Sequence, residues 1–83
     1  MKWGFMDWNK LAKSLLKAEL KKREITYEGL REKLAMIGIK ETAGSINRKI
    51  NLGAFQFAFF LQCAVAIGMK NLRLDELINN DDE

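Results

Sequence analysis

The residues best equipped for chemistry in this chain are hydrogen-bonding and cationic rather than catalytic. Ser45, Asn47, Arg48, Lys49 and Asn51 lie close together, Lys40 precedes them, and Thr26 and Tyr27 stand further upstream. Ala43, Ile46 and Ile50 recur among them at helical spacing, and this apolar stripe fixes which way the others face. At about 100° per residue Arg48 lies farthest from the stripe, with Ser45, Asn47 and Asn51 beside it. An arginine fork matches guanine O6/N7, and an asparagine amide matches adenine N6/N7. Lys49 sits to one side, where it suits a phosphate, as does Lys40. Thr26 and Tyr27 open an earlier helix and can offer side-chain and amide donors to a phosphate backbone. The partner these residue types imply is double-stranded DNA, entered through its major groove.

Catalytic chemistry finds no support. There is no histidine, and Cys63 is the single cysteine, inside an apolar run. Without a base or a metal partner such a thiol behaves as a small core residue. The acids of the first two helices alternate with lysine and arginine, as in ordinary surface pairs of Glu28 and Glu32 with Arg31 and Lys33. Gly44-Ser45 and Gly53-Ala54 lack phosphate-loop spacing. The chain reads as a non-enzyme with no cofactor, no metal and no small-molecule ligand.

The elements that position these residues are helices. Asp7 has the character of an N-cap, and Trp8, Leu11, Ala12, Leu15, Leu16 and Leu20 follow at helical spacing. The first helix therefore runs from Trp8 to Lys22, with Lys10, Lys13, Lys17 and Lys21 on its outer face. Arg23 and Glu24 break it, Ile25 can staple onto Leu30, and Thr26 caps a second helix from Tyr27 to about Met36. Leu30, Leu34 and Ile37 form its inward stripe. Gly38 supplies a left-handed turn residue, and Ile39 locks the turn onto the core. Thr42, or alternatively Ser45, caps a third helix that ends near Leu52, before Gly53.

From Ala54 to Ile67 apolar residues cover nearly every face, and four of the five phenylalanines fall within Phe55–Phe60. A helix of this composition is either central and buried or has one side given to a subunit interface. Gly68 ends it. Leu72, Leu74, Leu77 and Ile78 suggest a last short turn or helix. Residues 1–6 form an arm bearing Trp3 and Phe5, and residues 79–83 an acidic tail that frays.

Eighty-three residues, 48% hydrophobic and 30% charged, with no proline, describe one all-α domain over 1–83. The formal charge is only +3, yet it is unevenly spread. Residues 1–74 hold all 14 lysines and arginines against six acids, whereas the last nine residues hold five acids and no base. A basic body suits a polyanion, because its cations displace condensed counterions. The apolar stretch from Ala54 to Met69 falls short of the ~20 residues of a membrane span. No secretory signal pattern opens the chain, so no membrane role and a cytoplasmic location are expected.

Thr26, Leu30, Leu34, Gly38-Ile39, Ile46, Arg48, Gly53 and Ala66-Ile67-Gly68 together resemble a lambda-repressor-like helix-turn-helix domain over residues 11–78. That resemblance implies a compact five-helix bundle, with the helix at about 42–52 as the recognition helix of a small bacterial or mobile-element transcriptional regulator. More narrowly, Lys49-Ile50-Asn51-Leu52-Gly53-Ala54-Phe55, with Phe59-Phe60-Leu61-Gln62-Cys63 and Ala66-Ile67-Gly68, is similar to a small bacterial domain family of uncharacterised function. The competing class is a helical protein-interaction module using the aromatic residues 55–60. A homodimer is expected, its contact in the C-terminal half with the N-terminal arm involved or covering it. Helix 4 is expected at the centre, with Leu16, Leu20, Leu30, Leu34, Ile46, Ile50, Phe59 and Ala66 buried.

Overall fold

The structure, a computed structural model, describes residues 6–74. Four helices occupy them: α1 (Trp8–Lys22), α2 (Tyr27–Met36), α3 (Ala43–Leu52) and α4 (Phe57–Ile67). No strand occurs among the described residues. Three of the helices begin on side-chain caps. Asp7 accepts from the Lys10 amide at 3.1 Å, Thr26 from the Gly29 amide at 3.0 Å and Thr42 from the Ser45 amide at 3.0 Å. Each cap satisfies one of the donors that a helix start leaves without an intrahelical acceptor, an effect of about 1 kcal/mol.

The turns follow from where the chain adopts positive φ. At Gly38 (φ +86°) the Gly38 amide donates to Ala35 and the Ile39 amide to Leu34, the paired bonds of a Schellman turn. Ile39 is thereby held against the core. The α1–α2 turn uses the same pair of bonds, Glu24 to Lys21 and Ile25 to Leu20, but places Glu24 at φ +55°. A non-glycine residue there costs about 1–2 kcal/mol, which the packing of Ile25 onto the core helps offset.

One apolar cluster holds the helices together. Leu16 and Leu20 come from α1, Leu30 and Leu34 from α2, Ile46 and Ile50 from α3, and Phe59, Phe60, Cys63 and Ile67 from α4. The main helix contacts are α2 with both α3 and α4, and α1 with α3. α4 is thus an outer layer on α2, not the centre of the bundle. Its apolar residues divide between two faces, because Phe57, Leu61 and Val65 are exposed while Phe59, Phe60, Cys63 and Ile67 are buried. Three smaller expectations also shift. Ala66 is only partly buried, and Trp8 and Ile37, the latter expected on the inward stripe of α2, are exposed. The last short turn or helix expected for a fifth element lies largely outside the described residues: Leu72 and Leu74 lie exposed beyond α4, and Leu77, Ile78, the acidic tail and residues 1–5 of the arm are not described.

Arg31 lies on the outside of α2, where it bonds Glu28 at 2.7 Å and approaches Glu32 at 3.9 Å. The Arg31 guanidinium hydrogen bond also holds the exposed Glu28 carboxyl below its ordinary pKa.

Candidate nucleic-acid interface

α3 presents its polar face as its stripe requires: Ile46 and Ile50 are fully buried, and Asn47, Arg48 and Asn51 are exposed. Among the described residues no hydrogen bond or ion pair holds the Arg48 guanidinium, which extends along the helix to within 3.7 Å of where a Cβ on Gly44 would stand. Arg48 is the α3 side chain left to extend outward from the middle of the helix, while the exposed Asn47 has its side-chain oxygen against the Asn51 amide.

Asn51 is engaged on both sides of its amide. Its oxygen accepts from Lys17 Nζ at 3.2 Å, and its nitrogen donates to Tyr27 Oη at 3.4 Å and to the Asn47 carbonyl at 2.8 Å, with the Asn47 side-chain oxygen also in contact. This network ties α3 to the outer face of α1 and to the first residue of α2. Lys17 therefore joins the site, although sequence reasoning gave it only a place in a general lysine face. The spacing of Lys10, Lys13, Lys17 and Lys21 indicates that face, but nothing local indicates a bond spanning 34 residues.

Lys17 and Lys21 line an open groove of about 340 Å³ with Leu20, Ile25, Thr26 and Tyr27. The Thr26 hydroxyl caps Gly29, so the preceding amides of Tyr27 and Glu28, at the positive end of α2, are left without intrahelical acceptors. Two lysines beside a helix N-terminus make this groove suited to a phosphate group.

The other end of α3 is arranged differently. Glu41 accepts from Ser45 Oγ at 2.9 Å and from Lys49 Nζ at 2.6 Å, and the Lys49 ammonium also stands 4.9 Å over the Phe59 ring. Lys49, expected from its position to meet phosphate, is instead neutralised by Glu41 and folded against α4. Ser45 likewise spends its donor internally. Together they fasten the segment between Gly38 and Ile46 to α3, and Glu41, the residue that does this, has no signature in the sequence. Lys40 remains exposed, with no ion pair among the described residues, beside an open groove of about 340 Å³ that it lines with Glu41, Thr42 and Ser45.

The hydrogen bond from Lys49 holds the Glu41 carboxyl below its ordinary pKa of 4.5, against the opposing effect of burial. A lowered folded-state pKa adds stability that is complete above 4.5 and is lost as pH falls through the folded value. Wild type is therefore expected to exceed Glu41→Gln in stability above pH 4.5, with the difference shrinking below it. Paired urea titrations across that range measure the difference, and a pH-independent gap would remove the charged role of Glu41.

The described residues hold no group of three metal-ligating side chains, and no helix among them is long and apolar enough to cross a membrane. No curated protein and no solved structure matches the chain. A family model does match residues 8–72, which takes in all four helices and every residue of the interface described above: the chain belongs to the family described as Domain of unknown function (DUF6471).

Proposed function

We propose that this chain is a DNA-binding protein of the helix-turn-helix kind, a small transcriptional regulator that presents α3 to the major groove. The observation that carries the reading is the Lys17–Asn51–Tyr27 network, which joins the outward face of α3 to cationic and amide donors on α1 and α2. One continuous donor surface results, with its base-reading groups in the middle and its phosphate-binding groups at the side. Arg48 and Asn47 discriminate bases. Lys17, Lys21 and Lys40, with the Tyr27 amide, meet phosphates. Asn51 holds the three helices in register, and Ser45 and Lys49 hold the turn through Glu41.

Binding measured against salt on selected and random duplexes tests this division. Arg48→Ala should cost about 1–3 kcal/mol on the preferred site and far less on random DNA. Lys40→Ala should weaken all sequences alike and flatten the salt dependence by roughly one unit of slope. If Arg48→Ala binds every duplex as tightly as wild type, α3 is not a recognition helix. The second reading, a protein-interaction module, then leads; the exposure of Phe57 at the edge of the aromatic cluster favours it.

A further inference from the structure

The hydrogen bonds around Asn51 fix which way two surface amides point, and so what α3 has left to offer. Lys17 carries an ammonium group, which can only donate, so the Asn51 atom that it meets at 3.2 Å is the oxygen. The Asn51 nitrogen then faces two acceptors, the backbone carbonyl of Asn47 at 2.8 Å and Tyr27 Oη at 3.4 Å. The same nitrogen meets the Asn47 side chain, which must therefore turn its oxygen toward Asn51 and leave its NH2 group unspent. A lysine on α1 thus sets the polarity of an amide two steps away on α3.

We infer, on the footing of the DNA-binding reading, that α3 reads guanine-rich edges: one guanine under Arg48 and a second under Asn47, at neighbouring base pairs, with Lys17 positioning Asn47. Spacing alone pairs asparagine with adenine, whose N7 accepts from the amide while its N6 amino group donates to it. Here that amino group would have to share an oxygen already accepting from Asn51. Guanine makes no such demand, because O6 and N7 both accept and an NH2 group supplies donors alone. Cytosine shows an amino donor at the same edge and is opposed, while thymine offers a single acceptor. Arg48 is exposed and has only donors, so it favours the same base. Ser45 keeps an accepting oxygen, but it stands in the first turn of α3, bonded to Glu41.

Selection of the full chain on random duplexes, followed by affinity measurements on the selected site, tests the inference. Two neighbouring guanines should emerge, and Asn47→Ala should flatten the preference at one of them, which marks the position under Asn47. Adenine at that position should bind about fivefold more weakly than guanine. Hypoxanthine keeps O6 and N7 and should bind as guanine does, whereas 7-deazaguanine under Arg48 should cost about tenfold. Asn51→Leu releases the Asn47 oxygen, so the preference at that position should move toward adenine while the guanine under Arg48 is kept. Lys17→Met should move it the same way. Both residues are exposed, so circular dichroism should show the helices intact.

A readout without DNA checks the amide polarity itself. In nuclear magnetic resonance the Asn51 side-chain amide protons should exchange with solvent more slowly than those of Asn47, and the reverse order would overturn the inference. Adenine selected under Asn47, indifference to 7-deazaguanine, or an unchanged preference in both Asn51→Leu and Lys17→Met would overturn it too, with DNA binding left standing. Binding that ignores salt and Arg48→Ala would instead remove the recognition helix, and this inference with it.

Discussion

Replacing Gly53 with alanine is expected to destabilise the domain by about 2–5 kcal/mol, combining a left-handed backbone cost with a steric one. Gly53 closes α3 at φ +72°, and a Cβ there would stand 2.0 Å from the Asn9 carbonyl oxygen and 2.7 Å from its carbonyl carbon. Both are backbone atoms in the first turn of α1, so no side chain can swing aside. α1 would have to retreat from α3, one of its main packing partners. Gly38→Ala is the matching control, because Gly38 has a similar φ of +86° but nothing within 4 Å of an added Cβ. It should lose only the conformational part, about 1–2 kcal/mol. Urea unfolding of the two variants measures the difference, and equal losses would mean that the close approach to Asn9 does not limit the fold.

Phe59→Ala should cost a further class of energy, about 3–5 kcal/mol for a cavity left by a buried ring. Phe59 is 5% exposed and lies 5.7 Å from the Phe55 ring. It also supports Lys49, so its loss should loosen the Glu41–Lys49 link as well as the core. Phe59→Leu refills most of the volume and should recover the larger part of the loss. A double-mutant cycle with Lys49→Met isolates the cation–ring part, about 0.5–1 kcal/mol at a partly exposed site. A loss below 1 kcal/mol in Phe59→Ala would show that Phe59 is not a core residue. Total stability for a domain of this size is about 5–15 kcal/mol, so either variant removes a large share of it.

The parts of the fold legible in the sequence are those set by local chemistry. Asp7, Thr26 and Thr42 cap their helices through bonds three residues away, and Gly38 and Gly53 stop α2 and α3 at a left-handed backbone that glycine adopts without strain. The bounds of α1, α2 and α3 follow from them. α4 is different, since Gln56 makes no side-chain cap bond and apolar residues extend upstream to Ala54, so its start at Phe57 carries no sequence mark. A helix apolar on all sides also cannot announce which side is covered. The burial of Phe59, Phe60, Cys63 and Ile67 rather than Phe57, Leu61 and Val65 is decided by α2. At the candidate interface, helical periodicity is enough to turn Arg48 outward. The Lys17–Asn51 and Glu41–Lys49 bonds do not follow from helical periodicity, and each engages a side chain that spacing alone leaves free.

Cys63 gives the domain a built-in stopwatch. Its thiol is fully buried, and desolvation pushes its pKa up to about 12, so the folded protein offers almost no thiolate to an electrophile. Alkylation must wait for the domain to open, and its rate then reports the fraction of molecules open at any moment. Any substance that binds the closed form slows that rate by the factor 1 + [L]/Kd, whatever its chemical nature. Duplex DNA, an acidic protein or a second copy of the chain can therefore be ranked in one tube by how long each delays the modification of a single sulfur.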